Sequence, residues 1–238
     1  MHKTLKTIYS LESEGSVTEK KVGNYIVDIE RPDKSIVEIQ TASLAHLSEK
    51  IKYFLDEKKQ ITVVYPLVTE KYIRTKKIDG TATKRKSPCK KNIYSIFQEL
   101  TKLCPFLLDK NFFLEVLEVS VTEERKETDE KVQAKNGRRR FKKNWLKTGK
   151  SLNEIKCRHI FHGKKSYMAL FPKNLLETFL FKDFYAALKC MEKSVKADDA
   201  HLMLWCFCRM NLVNQGEKQG RFNTYKTAGT HKQQALHD

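Results

Sequence analysis

Two carboxylates and an amide stand where apolar strand residues are expected. Asp28 interrupts the run Tyr25-Ile26-Val27-Ile29, and Glu38 and Gln40 alternate with Val37, Ile39 and Thr41. Strand interiors are depleted of Asp and Glu, and the two-residue period puts Glu38 and Gln40 on one face. Hard oxygen donors at this density suit Mg²⁺ or Mn²⁺. Such ions bind one or two carboxylates, keep several waters and take substrate phosphate oxygens for the rest. A metal held there would lower the pKa of bound water and neutralise charge on a leaving oxygen, which is the chemistry of phosphodiester hydrolysis. The rival reading makes Asp28 and Glu38 edge-strand charges that discourage aggregation.

The elements that must position these residues can be read from hydrophobic period. Leu5, Ile8 and Leu11 predict a helix over 3–11, broken by Gly15-Ser16. Two strands, 24–29 and 35–40, flank a turn at Arg31-Pro32-Asp33-Lys34. Directly opposed residues of an antiparallel pair share a face, so bringing Asp28 and Glu38 together requires an odd connection, 31–35, or a bulge. Ser43 N-caps a helix carrying Leu44, Leu47, Ile51, Phe54 and Leu55, and Ile61-Thr62-Val63-Val64-Tyr65 reads as a strand buried on both faces. Strand, helix and strand then make a right-handed parallel crossover. A helix from Ile93 to Cys104 stops at Pro105, and 112–121 is a further strand. Residues 122–150, polar and charged, are expected to form an arm that orders on binding. Helices over 164–171, 182–191 and 198–210, followed by a glycine-tipped hairpin at 215–226, predict a winged helix. The polar tail is expected to fray.

The pattern Asp28, then Glu38-Ile39-Gln40, set within helix, hairpin, helix and strand, resembles the core of the PD-(D/E)XK nuclease superfamily. The stretches VEIQT at 37–41, VYP at 64–66 and RKSP at 85–88, with the carboxy-terminal third, are similar to an uncharacterised prokaryotic family of nuclease-like proteins. The resemblance implies an α/β, restriction-endonuclease-like mixed sheet flanked by helices and followed by a small winged-helix domain. The expected division is a core at 1–125, a basic arm at 126–160, a winged helix at 161–227 and a tail at 228–238. It implies Asp28 and Glu38 as ligands of Mg²⁺ or Mn²⁺, and Glu19, or its rival Glu14, as an upstream acid. Val27 stands where the superfamily's proline would be, and Gln40 where its lysine would be. An amide cannot titrate, so Gln40 can only orient water. Lys50, or Lys52, from the following helix is then the lysine expected to reach back.

Composition names the partner class. With 46 Lys+Arg against 29 Asp+Glu the formal charge is +17, and such an excess favours a polyanion. One basic run, 71–93, contains Arg85, Lys86 and Ser87, read as a phosphate clamp. A second, 135–150, contains Arg138, Arg139, Arg140, Lys142 and Lys143 interleaved with Phe141 and Trp145, which suits phosphate contacts plus stacking. Lys218 and Arg221 are the wing candidates. Duplex DNA is the expected partner and RNA a second, with a non-catalytic DNA-binding regulator as the alternative to a nuclease. Double-strand cutting would suit a homodimer. No apolar stretch spans a bilayer and the amino terminus lacks a signal-peptide core, so a cytoplasmic protein without a membrane partner is expected. The six cysteines are expected to be free thiols, and Cys157, His159 and His162 match no common zinc spacing.

Overall fold

Leu5 and Tyr9, four residues apart and so aligned on one face of a helix, are the buried side chains of α1 (His2–Leu11). The computed structural model describes residues 1–88 and 90–228. Three strands follow α1: β1 (Val17–Val22), β2 (Tyr25–Glu30) and β3 (Ile36–Ile39), each antiparallel to the next. Then come α2 (Ser48–Asp56) and β4 (Ile61–Lys76), which lies beside β3 in the sheet.

The β2–β3 connection is the odd one that parity requires. The Arg31 N–H donates to the Ser35 carbonyl at 2.9 Å, and the Lys34 N–H to the Arg31 carbonyl at 2.9 Å. Lys34 takes φ 69°, the left-handed residue that closes a three-residue hairpin loop. The Asp33 carboxylate accepts from the Ser35 N–H at 2.9 Å and its hydroxyl at 2.6 Å, the local bonding that suits Asp to turns. The resulting register pairs Ile29 with Val37 and Glu30 with Ile36.

β5 (Ala82–Lys86) folds back on β4, and after α3 (Phe97–Leu100) come two long strands, β6 (Phe112–Val132) and β7 (Lys143–Phe161). The seven-stranded sheet has the order β1-β2-β3-β4-β6-β7, with β5 branching from β4. The fold is α/β, with a large mixed sheet and no closed barrel. Leu5 and Tyr9 of α1 join Ile29, Val37, Val64, Leu117 and Val119 in one buried cluster. Tyr9 also donates to Glu115 at 2.5 Å, and Arg158 Nε meets the same carboxylate at 2.8 Å.

The chain divides into two units, each assembled from three segments. The first comprises 1–42, 62–93 and 115–159; the second comprises 43–61, 94–114 and the chain from 160 onward. In the second unit, α4 (Gly163–Met168), β8 (Thr178–Leu180), α5 (Phe181–Met191), α6 (Ala197–Arg209), β9 (Val213–Gln219) and β10 (Phe222–Thr227) follow in turn. The small sheet has the order β8-β10-β9, the strand order of a winged helix. Gly220, at φ 61°, forms the two-residue wing turn. Asp199 on α6 is 1% exposed and accepts from the Ser95 hydroxyl at 3.0 Å and from the Gln98 amide. Phe207 meets Phe97 edge-on at 5.7 Å and stacks on Phe171 at 5.5 Å.

Several elements differ from the sequence expectation. The 126–160 arm is the outer part of a hairpin: β6 runs to Val132 and β7 starts at Lys143. Its strands read as linker because charges occupy both faces, so no apolar alternation marks them. The basic run 71–93 likewise contains the end of β4 and all of β5. β1, mostly polar, and β8, only three residues long, carry too weak a period to be read individually. The linear division also gives way, since α2 and α3 belong with the winged helix rather than with the large sheet. Residues 229–238 of the expected tail, and Cys89, lie outside the described residues. Among the described residues no helix is long and apolar enough to cross a membrane.

Candidate carboxylate site and its basic surroundings

Glu19, Asp28 and Glu38 stand in one row across three neighbouring strands. The β1–β2 register pairs Thr18 with Ile29 and Lys20 with Val27, leaving Glu19 opposite Asp28. One step beyond the Ile29–Val37 pair, Asp28 stands opposite Glu38. Glu19 takes φ 53° inside its strand, a left-handed conformation that L residues other than Gly and Asn adopt at a cost.

At this row the carboxylates replace main-chain acceptors. The Asp28 N–H donates to Glu38 Oε1 at 3.1 Å, and the Ile39 N–H donates to Asp28 Oδ2 at 2.9 Å. Glu38 is 4% exposed and the Asp28 side chain 14%. Buried N–H groups need an acceptor, and here two side chains supply it.

Cations reach the row from α1. Lys6 Nζ lies 2.8 Å from Asp28 Oδ1 and also hydrogen-bonds Glu19; His2 Nε2 lies 3.2 Å from Asp28 Oδ2. Burial alone would raise the Asp28 pKa. The Lys6 hydrogen bond, the Ile39 N–H and the charges of His2 and Lys6 outweigh it and hold the carboxyl below its ordinary value. Burial opposes charge on Lys6 too, yet its hydrogen bonds to Asp28 and Glu19 and their charges raise its pKa, so it stays an ammonium. Lys50 and Lys52, the lysines expected from the helix after β3, lie on α2. Lys6 of α1 is a lysine in contact with the carboxylates, and helical period alone marks it only as the polar side of a covering helix.

The Gln40 N–H donates to the Val64 carbonyl at 2.9 Å, tying β3 to β4, while its Oε1 accepts from the Ala42 N–H at 3.3 Å. Among the described residues no three His, Cys, Asp or Glu side chains converge as a metal group. A Mg²⁺ ion here would rest on the oxygens of Asp28 and Glu38, with water and substrate phosphate completing its shell. Two carboxylates suit the ion's usual demands, and Lys6, which holds Asp28 Oδ1 at 2.8 Å, would have to move aside for it.

The expected nucleic-acid contacts are spread over both units. Arg85 and Lys86 are exposed on β5, where Lys86 binds Glu70; Glu70, held also by Lys156 at 2.6 Å, has its pKa pulled down to about 2. The Ser87 N–H donates to the Lys71 carbonyl at 2.8 Å. Arg138, Arg140 and Lys142 are exposed in the link between β6 and β7, with Lys143 opening β7. Arg139 serves the hairpin itself: its Nη1 donates to the Val132 and Trp145 carbonyls, both at 3.2 Å, and its guanidinium lies 4.2 Å from the Trp145 ring centre. Lys218 and Arg221 are exposed at the wing. His159 pairs with Glu118 at 3.0 Å, and His162 stacks on Phe113 at 4.0 Å.

A family model described as a domain of unknown function (DUF8091) matches residues 1–162. An uncharacterized protein of Treponema pallidum (strain Nichols) is 32% identical over 184 residues, which is 77% of this chain and 69% of that protein. No solved structure matches.

Proposed function

The chain belongs to the DUF8091 family, and from the carboxylate row inside that family's span we propose a divalent-metal-dependent, nuclease-like protein that acts on nucleic acid, duplex DNA first. The observation that carries this reading is the opposition of Asp28 and Glu38 in register, with Glu19 next in the row. The element order helix, three strands, helix, strand, with strand order β1-β2-β3-β4, supports the PD-(D/E)XK resemblance, and the charge of +17 supports a polyanionic substrate.

In this reading Asp28 and Glu38 hold Mg²⁺ or Mn²⁺, which when bound supplies an activated water and charge neutralisation at the phosphate. Gln40 orients water by hydrogen bonds. Lys6 brings the ammonium that the Gln40 position lacks, kept protonated by Asp28 and Glu19. Exposed Arg85, Lys86, Arg138, Arg140, Lys142, Lys143, Lys218 and Arg221 supply backbone contacts.

A second reading, a non-catalytic DNA-binding protein, is favoured by one observation: Lys6 bridges Asp28 and Glu19, so a side-chain ammonium already occupies part of the row. Incubating plasmid, linear duplex, single-stranded DNA and RNA with Mg²⁺ or Mn²⁺, for wild type, Asp28→Ala and Glu38→Ala, separates the two. Metal-dependent cleavage lost in both variants is the expected result. Retained binding with no cleavage under either metal selects the second reading.

A further inference from the structure

Thr41 follows Gln40, and Tyr65 follows Val64, whose carbonyl takes the Gln40 N–H. These two residues open a cavity of about 270 Å³ whose other walls carry Lys71, Lys91, Lys147, Lys150 and Glu123, all in the first unit. Glu123 balances only part of this charge, because its single carboxylate is shared among Arg125 at 2.6 Å, Lys71 at 3.5 Å and Lys147 at 3.9 Å. Burial would raise its pKa, but Arg125, Lys71 and Lys147 keep it below the ordinary value, so it is an anion surrounded by cations. Four lysines and an arginine therefore face one carboxylate.

We propose that this cavity binds a phosphate monoester, presented as the terminal phosphate of a polynucleotide strand, with a free nucleotide as the small-molecule source of the same group. The choice of strand rests on the nucleic-acid reading above; the phosphate chemistry does not. A monoester carries roughly −1.5 to −2 charges near neutral pH, a closer match to the uncompensated lysines than the single charge of an interior phosphodiester. The cavity falls just below the roughly 300–1,000 Å³ of typical small-molecule pockets, room for a phosphate with its sugar rather than for a large cofactor. Lysines serve phosphate as point charges, and the Thr41 hydroxyl adds a directional donor.

Lys150 gives an independent handle. Burial lowers its pKa, and the like charges of Lys147, Lys71 and Lys91 add to that against the pull of Glu123. An arriving dianion reverses the balance, so phosphate binding raises the Lys150 pKa and weakens as pH rises.

The test uses the full chain. Fluorescence anisotropy compares oligonucleotides ending in 5′-phosphate, in 3′-phosphate or in hydroxyls at both ends, with adenosine monophosphate as competitor. The proteins are wild type, Lys150→Met and the Lys91→Gln/Lys147→Gln double variant, which replaces half-buried Lys91 and exposed Lys147. One phosphorylated end is expected to bind about tenfold tighter than the hydroxyl control, with that preference erased in both variants. Amine-directed labelling near pH 7.5 should modify Lys150 ahead of exposed lysines, and adenosine monophosphate should protect it. Equal affinity for phosphate and hydroxyl ends, or a preference that survives both variants, overturns the pocket while leaving the nuclease-like reading standing. Protection of Lys150 by the mononucleotide without binding of any oligonucleotide upholds the pocket and overturns the polynucleotide reading. Neither protection nor preference overturns the proposal outright.

Discussion

Asp28 and Glu38 cap each other's strands: the Asp28 N–H ends on Glu38 Oε1 at 3.1 Å, while Asp28 Oδ2 takes the neighbouring Ile39 N–H at 2.9 Å. The candidate ligands therefore also hold the fold. Glu38→Ala strips the Asp28 N–H of its side-chain acceptor and should cost about 1–3 kcal/mol. Glu38→Gln keeps an acceptor of the same reach and should recover most of that loss. Urea midpoints read the difference, and equal losses for the two variants would remove the hydrogen bond from the account.

Lys6 should write a pH signature into stability. The folded Asp28 pKa lies below the ordinary 3.8, so the unfolded chain takes up the proton more readily. That contribution is present above the unfolded value and fades as pH falls through the folded one. Lys6→Met removes the main hydrogen-bonding cation, so the drop in denaturation midpoint between pH 5 and pH 3 should shrink relative to wild type. An unchanged acid limb would show that Lys6 does not set the Asp28 ionisation.

The turn makes a separate prediction, because Lys34 at φ 69° closes the loop that opposes Asp28 to Glu38. Lys34→Gly should be neutral or slightly stabilising, and Lys34→Val should cost about 1–2 kcal/mol in thermal or chemical unfolding. Deleting Asp33 makes the connection even and breaks the opposition. If the row is the working site, metal-dependent cleavage disappears in that deletion even where far-UV circular dichroism is retained.

These three positions mark what could be read from residues alone. Parity made the opposition of Asp28 to Glu38 conditional on an odd connection, 31–35, or a bulge, and the structure has the odd connection. Helical spacing located α1, α2, α5 and α6 to within a residue or two, except at the start of α2. The reach of Lys6 was not readable, since a long flexible side chain finds its partner through tertiary packing of α1, and no period encodes that. The hairpin of β6 and β7 was hidden for the opposite reason. TEERKETDEKV carries charge on both faces, so its strand character comes from pairing with its neighbour rather than from a buried face.

Salt dependence distinguishes the arginines of that hairpin. If Arg138, Arg140 and Lys142 contact phosphates of a duplex, each replacement by Gln should lower the slope of log affinity against log salt by about 0.9. Arg139→Gln should instead loosen the hairpin, through lost bonds to the Val132 and Trp145 carbonyls. Amide exchange at 130–146 reads that effect, and a salt-slope change for Arg139 equal to its neighbours' would contradict the clasp.

Asp199 is held by Ser95 and Gln98, and Phe207 by Phe97, so the second unit draws half of its interior from residues within the matched span 1–162. A chain cut at residue 162 would lay bare Phe97, Leu100 and Leu103, all at most 1% exposed in the whole protein, and would be expected to aggregate rather than stand alone. The matched span 1–162 is thus not a unit of folding by itself, and the match to the Treponema pallidum protein, at 184 residues, is longer than that span.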